Sequence, residues 1–569
     1  MMPGHTLESI QRAGAPSSER SFSRSHAQRT AFVGRALRGP VDTPVLVRSF
    51  TDFQRSFGGL WHASPLSYAV EHFFEQGGHQ AIIVRVINGA VPATLSLTCQ
   101  DETLQLEAVA PGTQEYLRAA VDYDQIEPHD QQHFNLVVQR IREAGSEYIE
   151  EQEIFRRLST DSEAAEFVVG VLAGSALVRV RGIAPATRPN ATVLADGEQI
   201  GYVSSNNDGS DGSPLTDYDI IGSTQRRSGL CALEGADDLT FVYVPPLSRS
   251  RDLGASTLLV AAELCRAQRA ILIVDPPAIW GSPAVALDGF RKLNFYSDSA
   301  LMFFPRIAAA DRLTGRTEVF GNGGAVAGLL SRCGDTIVAV IRQDEPETML
   351  RAGTRSAFEV NATDQVRLAN YGINTFQSTR VLNRSRPPLR TLACGASTSA
   401  DWAFLAARRL ALFVIDVIER ETRWVLLEPK GASVWSRATR QINAFLDELR
   451  AAGAFANAAA QTAFLVICDE RINPVLDGQV DRTRTVNILV QFAANRARAF
   501  HSFMITHSMR GSTVRPVVVN RLEAALQISL DLEQEFIIPL DIDDDIERAL
   551  AGVPHWDGEL ADQGLGNRS

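Results

Sequence analysis

A serine-type acyl-transfer site needs a histidine base within hydrogen-bond reach of a hydroxyl. The ten histidines of this chain stand at 5, 26, 62, 72, 79, 129, 133, 501, 507 and 555. None lies between 134 and 500, where strands and helices alternate, and no G-x-S-x-G elbow occurs. A Ser/Lys arrangement has little to draw on, because Lys292 and Lys430 are the only lysines. Gly321-Asn322-Gly323-Gly324, ahead of AVAGLL, resembles a phosphate loop in composition. It lacks the G-K-[ST] whose lysine meets the phosphates, and the third glycine of the dinucleotide fingerprint, so a tight turn into a helix is expected. His129, Asp130 and His133, with Asp122, Asp124 and Glu127 nearby, are metal-ligand types. They fall in a polar loop without a second ligand pair, whereas zinc takes a closed set of four, so a solvated loop is expected. Asp541, Asp543 and Asp545 open like a calcium loop. Ile546 occupies the position that needs glycine and Gly552 the one that needs a bidentate glutamate, which leaves an acidic surface turn. No catalytic or metal residue is assigned, and no cofactor is expected.

The elements around these residues are those of a large globular chain. Its 569 residues correspond to roughly three or four domains, and 45% hydrophobic with 21% charged residues supplies several cores. The net charge of −12 argues against nucleic acid or an anionic membrane as the main partner. Residues 520–569 carry 12 acidic and 3 basic side chains, so −9 of that charge sits in an acidic tail. Six scattered cysteines (Cys99, Cys231, Cys265, Cys333, Cys394, Cys468) form no C-x-x-C pair, which suits buried thiols in a reducing compartment. The N-terminus lacks an apolar signal core, and no run approaches 18 apolar residues, so neither a secretory leader nor a membrane span is expected.

Residues 1–29, rich in Ser, Arg and Gly, carry little apolar periodicity and read as disordered or as an arm that folds onto something else. Over 30–88, TAFVGRALRGP, PVLVRSFTDFQRSFGG, PLSYAVEHFFEQGG and AIIVRVI predict a β-α-α-β block. Residues 90–205 alternate in short runs separated by turn residues and predict a mostly-β insert, with one helical stretch near Ser146–Leu158. The polar stretch SSNNDGSDGSP marks a linker. From Pro214 to about Leu392, LTFVYVPP, AILIVDPP and SALMFFPRI alternate with helical segments, the order of an α/β sheet with crossover helices. In the run Asp401–Leu449, Ala406, Leu410, Phe413 and Val417 form one helical stripe, with Asp401 placed to cap its first turn. Trp424–Leu427 reads as a short buried strand stopped by Pro429. Ser433 then caps a second helix whose Ile442, Leu446 and Leu449 share a face and which Gly453 ends. TAFLVICDERINP supplies a further strand, and 485–507 reads as strand, turn, strand.

With these segments in order, the chain resembles the contractile phage tail sheath proteins, including those of phage-like extracellular injection systems. The resemblance runs through TAFVGRALRGP, FTDFQRSFGG, LSYAVEHFFEQGG, VRVING, GSDGSPLTDYDIIG, GLCALEGADD, AVAGLLSRCGD, NYGINTF and LACGAST. It is strongest in DWAFLAARRL, RWVLLEP, the spacing from Trp435 to Ile442-Asn443-Ala444-Phe445-Leu446, and TAFLVICDERINP. Two departures lie at the ends: Pro3-Gly4-His5-Thr6-Leu7-Glu8 replaces the usual P-G-V-Y-x-E-E, and the acidic extension is longer than in compact members. The resemblance implies an α/β (α+β multidomain) fold. An N-terminal linking arm (1–29) would precede an inner α/β core domain built from 30–88 and the tube-facing 393–510. Between them would lie a mostly-β inserted domain (89–205) and a subtilisin-like α/β sheath domain (206–392) without a catalytic triad, with an acidic C-terminal extension (511–569) at the end. It further implies a non-enzymatic structural subunit, part of a phage tail or released tail-like particle such as a tailocin, assembled in the producer's cytoplasm. Such a subunit stacks in helical rings around an inner tube and contracts to drive the tube through a target envelope. Its partners would be further copies of itself, the tube protein, and baseplate and cap proteins, with no nucleic acid and no direct membrane insertion. The alternatives are a non-contractile tail or baseplate component, or a hydrolase on the same α/β core, which the histidine distribution disfavours.

Arg437 and Arg440, three apart on the second helix, share a face away from Leu446. They are either solvated helix charges or, because a C-terminal-domain helix faces the tube in this family, groups that grip it. The arm at 1–29 and the hairpin at 485–507 have backbone donors and acceptors to satisfy. Donating a strand to a neighbour's sheet would do so and would keep the rings connected.

Overall fold

The computed structural model describes residues 28–192, 201–206, 208–236, 238–332, 348–351, 353–377, 387–393, 400–429, 431–455, 463–473, 485–494 and 501–517. The tail from 518, residues 1–27, Lys430, Cys333 and Cys394 lie outside these, as does the calcium-like run at Asp541. The chain divides into two compact units. One spans Met1–Thr422, Gln441–Phe464 and Phe492–Phe500; the other spans Arg423–Arg440, Leu465–Gln491 and His501–Ser569.

The first unit is built on strands β1 (Arg29–Gly34), β2 (Val45–Val47) and β3 (Ala81–Arg85) with helices α1 (Phe50–Phe57) and α2 (Pro65–Glu75). The helix starts follow local chemistry: Ser49 Oγ accepts the Asp52 amide, and Ser64 caps α2 ahead of Pro65 at its first turn. Gly58, at φ 88°, closes α1 in the left-handed region. These strands join β11 (Leu239–Tyr243), β12 (Ile271–Val274), β13 (Ala300–Phe304) and β17 (Ile373–Thr375) in a single sheet. Its order is β17-β13-β12-β11-β1-β3-β2, parallel throughout except for β2 at the edge. The segments 30–88 and 206–392 therefore contribute to the same sheet. Helices cover both faces, as a parallel sheet requires. Ala31 and Val33 of β1 point to a core with α5 (Ala255–Ala267) and α6 (Pro283–Leu293), together with Leu368 of α8 (Ala362–Ala369). Phe32, between them, points to the opposite core with α1, α2, α7 (Gly323–Ser331) and Leu405 and Leu412 of α9 (Leu405–Thr422).

The insert is mostly β, as expected. Strands β4 (Thr94–Cys99), β5 (Glu102–Ala108) and β9 (Val178–Val180) form one sheet. Strands β6 (Leu117–Asp122), β7 (His133–Ile141), β8 (Ile149–Ser159) and β10 (Val203–Ser204) form another, and the two close on a shared core that includes Leu97, Leu106, Val121, Leu136 and Leu158. The stretch expected as helix near Ser146–Leu158 is the edge strand β8, paired with β7 from His133↔Ser159 to Ile141↔Ile149. Glu and Arg favour helices by propensity, but sheet pairing fixes this run as a strand, with Arg156 and Arg157 exposed and Glu150, Glu151 and Glu153 half-buried. The stretch read as a linker is a strap. Asp208 accepts from the Thr94 amide and hydroxyl, Asp211 from those of Thr113, and Arg35 donates to the Asp211 carbonyl. Beside it Arg85, buried and held near 10 by burial, donates to the carbonyls of Ala36, Gly39 and Pro111.

Downstream, α9 begins at Leu405, after a 3-10 turn over Ala400–Ala403, rather than next to Asp401. Trp424–Leu427 is not a strand. Arg423–Leu426 forms a 3-10 turn in which only Val425 is buried. A four-residue apolar run that pairs with no described strand satisfies its backbone locally instead, the Leu427 amide donating to the Trp424 carbonyl. Helix α10 (Ala432–Ala451) starts before Ser433, and Ile442, Leu446 and Leu449 lie on its buried face. In the second unit, β18 (Phe464–Ile467), β19 (Val486–Phe492), β20 (His501–Ser508) and β21 (Gly511–Val517) form a sheet in that order around Ile467, Ile472, Leu489 and Met504. Among the described residues no helix is long and apolar enough to cross a membrane.

Candidate functional site

Open α/β sheets place their chemistry at the carboxyl ends of their strands. Here that edge holds Tyr243 at the end of β11, Asp275 after β12 and Arg306 after β13. The glycine-rich turn expected from Gly321-Asn322-Gly323-Gly324 sits against them. Tyr243 donates its hydroxyl to Asp275 Oδ2 at 2.6 Å, and the Gly323 amide donates to Oδ1 at 2.8 Å. Asn322 Nδ2 donates to the carbonyls of Phe303 and Pro305. A Cβ on Gly321 would lie 2.1 Å from Asp275 Oδ2, and one on Gly323 2.0 Å from the Tyr243 ring, so both glycines serve close approach. The first turn of α7 thus receives a side-chain carboxyl where a phosphate loop would receive a ligand. Burial drives the Asp275 carboxyl up and the Tyr243 hydroxyl well up.

A small cleft of about 30 Å³ opens beside this cluster, lined among others by Tyr68, His72, Tyr243, Arg249, Arg306 and Phe320. His72 reaches it although its position precedes the stretch where the sequence places the α/β elements, because α2 packs on the same sheet. The ring stands edge-on to Phe320 at 5.1 Å, and its Nδ1 has no hydrogen-bond partner among the described residues. Burial lowers it to about 4, which makes it a weak base. Arg249 and Arg306 are already engaged, with Asp311 and Glu318 and with Asp252 respectively.

The loop at His129–His133 closes on itself. His133 Nδ1 lies 2.8 Å from Asp130 Oδ2, and the Gln132 and His133 amides donate to Asp130 Oδ1. The His133 contact above all holds the Asp130 carboxyl at about 2. Among the described residues no group of three or more His, Cys, Asp or Glu is arranged to hold a metal.

Arg437 and Arg440 both lie on α10 but in different surroundings. The Arg437 guanidinium stacks over the Trp424 ring at 4.0 Å and pairs with Glu428, and it is only partly exposed. Arg440 is exposed. Trp424, expected in a short strand, and Glu428, the acid just ahead of the helix, are instead the anchors of Arg437. In the same unit β21 is an outer strand, paired to β20 from Ser502↔Val517 to Ser508↔Gly511. Pro516, which cannot donate to a ladder, suits that edge.

No protein-family model matches the chain, and no curated protein matches it by sequence. Solved structures do. A sheath tail protein from Listeria innocua superposes with a TM-score of 0.57 at 12% identity, covering 86% of this chain and 96% of that one. A sheath tail protein from Desulfitobacterium hafniense gives 0.49 at 12% identity, over 87% of this chain and 98% of that one. The contracted PVC sheath of an extracellular contractile injection system gives 0.48 at 14% identity, over 87% and 94%. The first of these carries the conclusion: this chain, a mixed α/β protein of several sheets, has the fold of a sheath tail protein.

Proposed function

We propose that this chain is the repeating subunit of a contractile tail sheath. It polymerises in helical rings around an inner tube and contracts to drive that tube through a target envelope. The observation that carries this reading is the fold likeness to the Listeria innocua sheath tail protein, which extends over 96% of that chain. Fold alone hosts many functions, so the site must agree. The Tyr243–Asp275 and Arg306–Asp252 contacts at the sheet's carboxyl edge, with His72 beside them a weak base, support a subunit whose work is mechanical.

The outer strand β21 supports linkage by strand exchange, with the arm at 1–29 of a neighbouring copy as donor. Energy would be held in a metastable extended lattice and released when inter-ring contacts repack. The tube, baseplate and cap proteins are the proposed partners beyond the chain itself, with assembly in the producer's cytoplasm into a phage tail or tail-like particle. Residues 393–510 form the tube-facing part, with Arg437 and Arg440 toward the tube. Negative-stain electron microscopy of the purified protein tests the reading. Tubes or stacked rings are expected, and a protein that stays monomeric at high concentration and under contraction-inducing conditions would overturn it.

A further inference from the structure

Between helix α4 (Asp217–Ile221) and the 3-10 turn Gly229–Leu233 the chain folds back on itself and holds two arginines in solvent. The loop is tied at its neck. The Ser223 amide donates to Ser228 Oγ at 3.0 Å, and the Ser228 amide donates to the Ser223 carbonyl at 3.1 Å. A Cβ on Gly222 would lie 1.9 Å from the Ser228 carbonyl oxygen, and one on Gly229 2.4 Å from that of Ile220, so the two arms touch backbone to backbone. Inside the loop the Arg227 amide donates to the Thr224 carbonyl. Arg227 itself takes φ 50°, in the left-handed region that few residues other than glycine adopt. The tip is therefore preorganised, so little ordering entropy is lost when something binds it.

Arg226 and Arg227 are both exposed, and neither guanidinium has an ion-pair or hydrogen-bond partner among the described residues. The acids that contact this segment serve other donors. Asp42 takes the Gly229 amide at 2.8 Å, Asp219 the Thr216 amide and hydroxyl, and Asp217 the Gly254 amide, while Glu234 faces the Thr224 hydroxyl at 3.5 Å. Tyr218, one helical turn before the neck, is 78% exposed. Two unpaired arginines and a tyrosine on a fixed surface have the composition of a protein-binding site, and its sign calls for an acidic partner.

The chain carries such a partner. Residues 520–569 hold −9 of the net charge of −12, and Asp541, Asp543, Asp544 and Asp545 place four carboxylates within five positions. We propose that the turn Ser223–Ser228 is a docking site for this acidic tail, in which the Arg226 and Arg227 guanidiniums take the carboxylates of Asp541–Asp545. A guanidinium offers a carboxylate two parallel N–H donors, which a rigid tip can aim. Because both sides are solvent-exposed charges, the contact weakens as salt rises.

Phenylglyoxal modification of arginines in the full chain, read residue by residue by mass spectrometry, tests this. Arg226 and Arg227 should react roughly threefold more slowly at ~50 mM salt than at ~500 mM, relative to the exposed Arg156 of β8 as internal reference. With Asp541→Asn, Asp543→Asn, Asp544→Asn and Asp545→Asn combined, both should react at the high-salt rate throughout. The converse variant joins Arg226→Ser to Arg227→Asn, since asparagine tolerates the left-handed backbone. It should keep the wild-type thermal midpoint and let an acid-specific protease cut the tail roughly threefold faster at low salt. Salt-independent rates, protection that survives loss of the four carboxylates, or tail cleavage unchanged by the arginine substitutions would each overturn the proposal.

Discussion

Gly328 of α7 packs directly against the backbone of Phe73 in α2: a Cβ placed on it would sit 2.2 Å from the Phe73 carbonyl oxygen. One turn earlier, a Cβ on Gly324 would sit 2.2 Å from the Ala69 carbonyl. Two helices on one sheet face thus meet backbone to backbone, with no side chain able to yield. Gly328→Ala should therefore destabilise the fold by about 2 kcal/mol, an overpacking cost, lowering the thermal midpoint. Gly170→Ala, in the short helix Val168–Leu172 of the insert, is the control. Nothing lies within 4 Å of the added methyl there, so helix propensity alone should leave stability equal or slightly higher. Equal midpoints for Gly328→Ala and wild type would remove the close crossing from the account.

His72 gives the first unit an acid sensitivity. Burial holds it near 4, below the usual histidine value, so the unfolded chain binds the proton first as pH falls. The stability it contributes is complete above about 6.5 and is lost as pH drops toward 4, by up to ~3 kcal/mol. His72→Phe keeps an aromatic ring against Phe320 and removes the titration. Denaturant melts at pH 7 and pH 4.5 should show a smaller acid loss in the variant. An identical loss in both proteins would assign the effect elsewhere, for instance to His507, which burial and Arg423 also lower to about 4.

Much of this was legible in the sequence, for local reasons. Ser64-Pro65 announces α2, Ala31, Phe32 and Val33 alternate between two buried faces, and the Gly321–Gly324 turn leads into a helix. What was not legible depends on partners distant along the chain. Asp275, which makes that turn a polar cluster, follows a different strand. His72 looked remote from the α/β elements only because strand β1 and helix α2 belong to a sheet completed by β11–β13. Trp424–Leu427 and Ser146–Leu158 differ from expectation for opposite reasons: the apolar run pairs with no described strand, and the charged run pairs with β7.

The Tyr243–Asp275 contact makes a third test. Tyr243→Phe leaves the ring in place and strips the buried carboxyl of its 2.6 Å donor. The expected cost is ~1–3 kcal/mol, the usual penalty for a buried group left short of a partner. Double substitution with Asp275→Asn should cost less than the sum of the two singles, because both act on one bond. Additive losses in urea melts would show that the two side chains are not coupled.

Among the described strands β21 is the outermost of its sheet, and a neighbour's arm is the proposed donor to it. Removing residues 1–20 should leave a soluble monomer with an unchanged thermal midpoint and abolish long sheath. Electron microscopy of the truncated chain reads this directly, and polymers of normal length would refute the linkage.

Arg437 and Arg440 now separate in role. Arg437 is spent on Trp424 and Glu428, so Arg437→Glu loses a cation–π contact of roughly 1 kcal/mol and sets two carboxylates side by side. Its first effect should be local: a lower midpoint and altered Trp424 fluorescence. Arg440 is exposed and its reversal should leave the fold intact. If α10 faces the tube, Arg440→Glu alone should block co-assembly with tube protein, and the double reversal should do so completely. Co-sedimentation of sheath with tube, alongside circular dichroism to verify folding, separates the two effects. Normal assembly of the folded double variant would leave Arg440 as a solvated helix charge and move the tube contact to another surface.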